Sequence, residues 1–460
     1  MKHRRHFLKL SLALGSSALV PSLSSAAPLR LNEINFSSSV YQNNNAQTII
    51  VYLYGGASQL AGNLTNLAEI ENESQTSYSY FNNLTPTTNN CWNNAGGDDM
   101  ETLLGNGDMT LFRTCFSQVR EDEGNKAHGK CTMQNQFGTF DTDRAGGIIS
   151  NLALILQHNG VIGPNTVLPF ITMEGETKFY AQGDTPVDGY LRPVGIDESF
   201  KNPYIRDYIR RWFYYTEAER DSAPDTYDNS DEEGGFTPAL DATLDQLAQQ
   251  HNRQGKVKSA FSKRAQLSSF IESLKQATPP DLGADAYEED NLFAEKMEAA
   301  VNIMHHNPDT KVITVGTGGL GGWDDHSDAR NYERRMQQLF SALRSAVAHL
   351  KAIGKDGSIN IMVFGEFGRN VNLNNAQGWD HGNLQNLYVL GGKDYFNHKG
   401  IVGETKLVKT GEVNRLFLHP KDGSYWFEPL KIASTLYKIY GIDNPEVLTG
   451  GYGVIDPLFT

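Results

Sequence analysis

The chain has 460 residues, of which 39% are hydrophobic and 20% are charged. This length and composition are sufficient for a sizeable core in one large domain, or in a domain with a subdomain. The formal net charge is −14. A field of that sign repels nucleic acid and anionic lipid and attracts cations, so a nucleic-acid-binding function is not expected.

The first 26 residues have the pattern of an export signal. Arg4 and Arg5 precede an apolar run over 10–20, which covers about half of the roughly 20 apolar residues that a membrane-spanning helix needs. A cleaved signal is therefore predicted, with cleavage after Ala26 and no stable membrane anchor. The Arg-Arg-x-Phe-Leu-Lys pattern favours the twin-arginine pathway, with its translocase as a transient partner and a periplasmic or extracellular destination. A Sec signal or a basic disordered tail is the alternative.

The mature chain is more acidic than the precursor, and its cysteines are grouped together. Without the four basic residues of the leader it has 36 basic and 54 acidic residues, a net charge of −18. Cys91, Cys115 and Cys131 fall within one short segment, and in an oxidising compartment one disulfide and one odd thiol are expected. No Cys-x-x-Cys pair is present, so a zinc site made of thiolates is not expected.

Strand and helix signals alternate along the first part of the mature chain. Residues 48–54 form a continuous β-branched and aromatic run, which is typical of a strand buried on both faces of a parallel sheet. The polar stretch 72–107 predicts a long surface loop. A helix is predicted over 148–157 and a strand over 166–173. Residues 202–280 are mainly helical in pattern and indicate a helical insertion or cap within a single domain covering 27–460.

The last third is the most regular part of the sequence. It predicts a helix over 292–305, a strand over 311–317, an amphipathic helix over 332–350 and strands over 358–364 and 387–390. Strand, helix and strand of these lengths form a βαβ unit. The fold class expected is α/β, with a central, mostly parallel sheet flanked by helices.

Three glycine-rich polar segments follow the predicted strands of this region. They are GGLGGWDDH over 318–326, GEFGRN over 365–370 and GWDHG over 378–382. The carboxyl ends of parallel strands meet at one edge of a sheet, so these segments are expected to converge there. Carboxylates and imidazoles at one point are ligands for a divalent metal such as zinc, manganese, magnesium or calcium. The carboxylates and imidazoles of these segments are Asp324, Asp325, His326, Glu366, Asp380 and His381.

The motifs GGWDDH, VFGEFGRN and GWDHG, in this order, resemble those of the DUF1501 family. The resemblance extends to the twin-arginine leader, to YLYGGASQL and to the ending GIDNPEVLTGGYGVIDPLF, so it covers most of the chain. It implies an alkaline phosphatase-like fold and a branch of the alkaline phosphatase and sulfatase superfamily, whose metal-dependent members hydrolyse or transfer phosphate and sulfate esters.

The same resemblance implies roles for individual residues. Asp324 and His326 match one ligand pair, Glu366 takes the place of a ligand acid, and His381, preceded by Asp380, matches a late histidine. Arg369 is expected near a substrate oxyanion, where a bidentate guanidinium is well suited.

The nucleophile is left open between two hydroxyls. Ser58 follows the first strand, and Thr132 lies in HGKCTMQNQFG. For each of them a purely structural role is at least as good an interpretation, as a turn hydroxyl for Ser58 and as an ordinary loop residue for Thr132. Together with the export signal, the resemblance implies an exported, metal-dependent hydrolase of a small-molecule or polymeric phosphate or sulfate ester. The alternative is a non-catalytic secreted protein that binds a metal or a partner on the same scaffold.

Overall fold

The computed structural model describes residues 29–78, 81, 84–174, 177–195, 279–410 and 415–460, together with 246, 266, 269 and 270. The predicted leader and almost all of the predicted helical insertion over 202–280 lie outside the described residues. The division of the chain into these segments stays a prediction.

The described residues form a central sheet of eight strands and two short two-stranded sheets. The strands are β1 (Gln47–Leu53), β2 (Met109–Phe116), β3 (Phe170–Thr172), β4 (Val194–Gly195), β5 (Val312–Gly316), β6 (Ile359–Gly365), β7 (Gly368–Arg369), β8 (His381–Gly382), β9 (Leu384–Gly391), β10 (Gly400–Val402), β11 (Thr405–Lys409) and β12 (Leu416–Pro420). The order in the central sheet is β10-β2-β9-β6-β1-β5-β3-β4, with β7 paired to β8 and β11 paired to β12.

The described residues also form nine α-helices, several of them joined to the strands by short 3₁₀ turns. They are α1 (Ser38–Asn44), α2 (Leu67–Glu73), α3 (Gly97–Gly105), α4 (Gln118–Asp122), α5 (His128–Phe137), α6 (Ile148–His158), α7 (Leu292–His306), α8 (Tyr332–Ala352) and α9 (Lys431–Ile439).

The central sheet is mostly parallel, as predicted. Strand β1 pairs in parallel with β5 on one side and β6 on the other, and among the eight strands only β9 runs in the opposite direction. Both faces of the sheet are covered. Ile49 and Val51 of β1 belong to a core that includes residues of α7 and α8, whereas Ile50 and Tyr52 belong to a second core with residues of α6 and α9. Burial on both faces explains why β1 is apolar at successive positions.

The strand directions bring distant segments to one edge of the sheet. Strands β1, β5 and β6 end there, and β2 also ends there before the chain continues into α4 and α5. Because β9 is antiparallel, the residues just before it, including β8, reach the same edge. The polar segments that follow β5 and β6 and precede β9 are thereby placed side by side.

Two expectations from the sequence are wrong. Residues 72–107 are not one surface loop, since the segment contains α3 and the fully buried Trp92, which packs edge-on against Phe81 with 5.0 Å between ring centroids. The expected disulfide is absent as well, since Cys91, Cys115 and Cys131 are all free, buried thiols. The three are accommodated as small apolar side chains of the core.

The other predicted elements of the described residues are confirmed with small changes in their bounds. Helices α6, α7 and α8 and strands β1, β5 and β6 lie where the sequence predicts them. Strand β3 is shorter than expected, and β9 is longer. In the described part of the chain, no helix combines the length and the apolar character needed to cross a bilayer.

Candidate metal centre

Four side chains converge at this edge of the sheet in an arrangement that suits a metal ion. They are His128, Asp324, His326 and His381, each with one ligand atom within 4.8 Å of those of the others. His128 is the first residue of α5, Asp324 and His326 follow β5, and His381 begins β8. The structure therefore brings together three residues predicted from the sequence, and it adds His128.

The spacing of the ligand atoms is close to that of a tetrahedral site. Asp324 Oδ1 lies 3.4 Å from His128 Nε2, 3.4 Å from His326 Nε2 and 3.9 Å from His381 Nε2, while the last two nitrogens are 2.7 Å apart. Zinc bound tetrahedrally at about 2.0 to 2.1 Å separates its ligand atoms by about 3.3 to 3.5 Å. Shifts of a few tenths of an ångström up to about 1 Å between side chains would complete such a site.

The Nδ1 atom of each imidazole is held by an acceptor behind it. His128 Nδ1 lies 2.7 Å from Glu366 Oε1, His326 Nδ1 lies 3.2 Å from Asp380 Oδ1, and His381 Nδ1 lies 2.6 Å from the carbonyl oxygen of Lys126. Carboxylates and carbonyls only accept, so in the neutral rings each Nδ1 carries the hydrogen. Each Nε2 then carries a lone pair directed at the centre of the cluster.

These lone pairs face one another without a donor between them. His128 Nε2 is buried and has no hydrogen-bond partner among the described residues, and the Nε2 atoms of His326 and His381 approach closely as two acceptors. Acceptors at such distances repel unless a proton or a cation lies between them. The residues present therefore fit a divalent cation, with outer acceptors that fix the tautomer and orientation of each ligand, as in carboxylate–histidine–metal arrangements.

Two of the predicted ligands, Glu366 and Asp380, lie behind the imidazoles. Glu366 follows β6, is 2% exposed, and accepts hydrogen bonds from the Gly55 amide at 2.7 Å and from the Thr132 hydroxyl in addition to His128. Asp380 receives His326 on one oxygen and the Arg415 guanidinium on the other, at 2.9 Å. Both carboxylates are thus placed to orient a ligand rather than to join the four converging atoms.

Arg369 differs most from its expected place. Its side chain is fully buried, and it donates to the carbonyls of Gly56 at 2.7 Å and Trp379 at 2.9 Å, to that of Gly55, and to Asp324 Oδ1 at 2.5 Å. A guanidinium with these contacts joins three loops and one metal-ligand candidate from behind. It does not present its fork to an incoming oxyanion.

The electrostatics of the cluster favour ligands that are ready to bind a cation at neutral pH. Partial burial alone would raise the pKa of Asp324, but the hydrogen bond and charge of Arg369, with His128 and His326, hold it below its ordinary value. Burial, followed by the positive charge of Arg369, lowers the pKa of His381 to about 4. At pH 7 the carboxylate is ionised and this imidazole is neutral, which are the forms that coordinate metals.

Glycines permit the close packing of the loops that carry these residues. A Cβ atom at Gly55, where φ is +108°, would lie 2.5 Å from the amide nitrogen of Asp324, and one at Gly378 would lie 2.3 Å from the carbonyl carbon of His326. Neither position can take a side chain without moving the loop that carries Asp324 and His326.

The two candidate nucleophiles have different surroundings. Ser58 is 3% exposed, and its Oγ accepts the Leu60 amide at 3.3 Å in the turn after β1. Thr132 is half-buried one helical turn after His128, on the same face of α5, and its hydroxyl donates to Glu366 Oε2. Of the two, only Thr132 is shown in contact with a residue that orients the cluster.

His128 was not assigned to the metal site from the sequence. It lies far from the other three ligands along the chain, in a segment without a recognisable ligand spacing. The only local signal is HGKCTMQNQF, a polar segment that nevertheless buries Gln134, Asn135 and Gln136.

Comparison with known proteins agrees with the motifs. Residues 46–422 match the model of the DUF1501 family, described as "Protein of unknown function". The chain belongs to the DUF1501 family. No curated protein matches its sequence.

Several solved structures are similar to this DUF1501 chain. Ps i-CgsB in complex with k-i-k-neocarrahexaose is 10% identical with a TM-score of 0.38, over 89% of this chain and 74% of that one. A protein in the alkaline phosphatase superfamily from Vibrio parahaemolyticus is 10% identical with a TM-score of 0.37, over 95% and 75%. The C-terminal periplasmic domain of EcEptC from Escherichia coli is 10% identical with a TM-score of 0.37, over 91% and 87%.

Proposed function

We propose that this DUF1501 protein is an exported, metal-dependent hydrolase of phosphate or sulfate esters. The observation that carries the proposal is the convergence of three imidazole Nε2 atoms and the Asp324 carboxylate, with every Nδ1 held by an acceptor. Three nitrogen donors and one oxygen donor favour zinc over magnesium or calcium, which prefer all-oxygen sites. When bound, the cation would supply Lewis acidity toward an oxygen of the ester.

The residues of the cluster leave it accessible to a substrate. The side chains of Asp324 and His326 are 52% and 43% exposed, whereas Glu366 behind His128 is buried. Arg369 neutralises part of the negative charge of Asp324 from the protein side. An anionic ester group therefore approaches a centre whose carboxylates are each paired with an imidazole or a guanidinium, which reduces repulsion.

Thr132 is the better candidate for an attacking hydroxyl. Its hydrogen bond to Glu366 Oε2 provides an acceptor for the proton that the hydroxyl loses as its oxygen bonds to phosphorus or sulfur and the ester bond to the alcohol breaks. The alkoxide leaves and takes a proton from water, and a second water then hydrolyses the threonyl ester to release phosphate or sulfate. The Ser58 hydroxyl is held in a buried turn by the Leu60 amide, which supports a structural role there. The substrate class proposed is an ester of phosphate or sulfate on a small molecule or a polymer.

Export through the twin-arginine translocase, to the periplasm or the cell exterior, is part of the proposal. It is supported by Arg4 and Arg5 with the short apolar run that follows. Replacing both arginines by lysine is expected to retain the precursor in the cytoplasm. Unchanged secretion of that variant by a Sec-dependent route would contradict this part of the proposal alone.

One observation favours the non-catalytic alternative. The Arg369 guanidinium is fully buried and donates to main-chain carbonyls, so no free guanidinium faces the cluster from this position. On that hypothesis the protein binds its metal for stability or for a partner.

The test combines metal analysis with turnover. Purified wild-type protein is expected to contain about one equivalent of zinc and to hydrolyse members of a panel of aryl phosphates and aryl sulfates. His128→Ala should lose both properties, whereas His158→Ala, at an exposed helix end, should keep both. Thr132→Ala should keep the metal and lose turnover by orders of magnitude, with recovery in Thr132→Ser and nearly full activity in Ser58→Ala. If the protein binds metal stoichiometrically but hydrolyses no ester of the panel, the hydrolase proposal is refuted and the non-catalytic metal-binding alternative takes its place.

A further inference from the structure

We propose that Arg415 is a positioning residue of the metal centre, which acts through Asp380 on the orientation of His326. The inference rests on the proposed metal-binding function. The geometry behind it is a linear relay: Arg415 Nη2 lies 2.9 Å from Asp380 Oδ2, and Asp380 Oδ1 lies 3.2 Å from His326 Nδ1.

The three imidazoles are not supported equally from behind. The acceptor for His128 is Glu366, which is buried and fixed by two further donors. The acceptor for His381 is the main-chain carbonyl of Lys126, which has no side-chain rotamer to lose. The acceptor for His326 is a side-chain carboxylate that is 20% exposed, so water can compete for it.

The main chain of Asp380 is fixed, but its carboxylate needs a second partner. Its amide donates to Asn370 Oδ1 at 2.5 Å, and its carbonyl accepts the Asn370 amide at 2.8 Å. These bonds leave the side-chain torsions undetermined. The contact of Oδ2 with Arg415 restrains the plane of the carboxylate, so Oδ1 is directed at His326 with less loss of entropy on metal binding.

The main chain next to Arg415 is hydrogen-bonded to the segment that follows Arg369. It immediately precedes β12, where the Leu416 carbonyl accepts the Val371 amide at 2.9 Å and the Leu416 amide donates to Asn372 Oδ1 at 2.7 Å. These two bonds dock the β11–β12 hairpin onto the segment that follows Arg369. The guanidinium is 42% exposed and the carboxylate of Asp380 is 20% exposed, so removal of Arg415 leaves a carboxylate that water can reach.

The expected effect is on metal affinity and not on folding. Loss of an outer partner of a metal-binding histidine typically weakens metal affinity about 10- to 100-fold. We expect Arg415→Gln to weaken zinc binding about 10-fold, and Arg415→Lys to recover part of that loss, because an ammonium can pair with Oδ2 without the planar fork. The thermal unfolding temperature of the metal-free protein should not change.

The test is a zinc competition titration against a chromogenic chelator with the full-length mature protein. The variants are Arg415→Gln, Arg415→Lys, Asp380→Ala and the double variant Asp380→Ala/Arg415→Gln. Lys421→Gln is the control, since it removes an exposed ion pair with Glu404 at the foot of the same hairpin.

If Arg415 acts through Asp380, Asp380→Ala weakens zinc binding at least as much as Arg415→Gln, and the double variant is no weaker than Asp380→Ala alone. Wild-type affinity in Arg415→Gln, or losses that multiply in the double variant, overturns the inference while leaving the proposed hydrolase intact. A wild-type protein that binds no zinc overturns both.

Discussion

Replacing Arg369 by methionine should destabilise the fold strongly. The substitution keeps much of the apolar volume of the side chain but removes donors to the carbonyls of Gly56, Trp379 and Gly55, the first two of them in buried residues. A buried group left without its partner costs about 1 to 3 kcal/mol, and loss of one member of a buried ion pair costs about 3 to 5 kcal/mol.

The ion-pair contribution must be reduced for solvent, since Asp324 is half exposed and water can replace part of what Arg369 supplies. A net loss of about 3 to 5 kcal/mol in the free energy of unfolding follows. Arg369→Lys should lose most of the same amount, because one ammonium cannot reach the carbonyls of Gly56 and Trp379 and the Asp324 carboxylate at the same time.

Denaturant and thermal unfolding of the metal-free protein measure this effect, with Arg330→Met as the control. Arg330 pairs with Asp328 at the surface, both side chains being about half exposed or more, so its loss should cost under about 1 kcal/mol. If Arg369→Met unfolds within about 1 kcal/mol of the wild type, the interpretation of Arg369 as a buried joint is refuted. A folded variant that is deficient only in turnover would support the substrate-binding role expected from the sequence.

Three further predictions concern the metal, the thiols and pH. His128→Ala should weaken zinc binding about 100- to 1000-fold in a chelator competition. The reason is that one of four ligands contributes about 2.5 to 4 kcal/mol of the binding free energy of about 10 to 16 kcal/mol that is typical of structural zinc. Wild-type affinity in this variant would show that His128 is not a ligand. The native protein should not react with Ellman's reagent at pH 8, because burial raises the pKa of Cys91 to about 11 and also raises the pKa of Cys115 and Cys131. After unfolding without reductant, all three thiols should react. Reaction of only one thiol would reveal a disulfide. Burial lowers the pKa of His349 to about 4, so between pH 6.5 and 4 the unfolded chain takes up a proton at this residue that the folded chain does not. The free energy of unfolding should therefore fall by up to about 3 kcal/mol as the pH drops through this window. An equally steep fall in His349→Gln would contradict this assignment.

The sequence predicted the strands whose environment is uniform. Strands β1, β5 and β6 lie in the middle of a sheet covered on both faces, so every position is buried and apolar runs mark them clearly. Strand β2 escaped prediction although it is equally buried. Its Arg113 is 6% exposed and donates to the carbonyl of Gly62 at 2.7 Å, so a charge that suggests a surface segment is satisfied inside the protein.

The candidate site, like the strands, could be predicted from the sequence only in part. Motifs that follow strands in a parallel sheet could be placed at one edge by topology alone, and Asp324, His326 and His381 do meet there. Topology does not say which side chain touches the centre and which lies behind it. Glu366 and Asp380 have the chemistry of ligands, but the histidines stand between them and the centre of the cluster.

The position of His128 depends on a buried arginine that no motif marks. Arg120 is 1% exposed and donates to the Glu366 carbonyl at 2.8 Å, to Gln134 Oε1 at 2.9 Å and to Asn135 Oδ1 at 2.5 Å. It therefore binds α5, which begins with His128, to the end of β6, which carries the acceptor for the same histidine.

Arg369 does the equivalent for Asp324 on the other side of the cluster. Two buried guanidinium groups thus hold the ligand-bearing loops by their main-chain carbonyls, and the cost of ordering these loops is met during folding. When a cation binds, the orientation of His128 is already fixed, because its acceptor Glu366 is buried. The His326 side depends on the partly exposed pair of Asp380 and Arg415, so the orientation of His326 is the least fixed of the three before the cation binds.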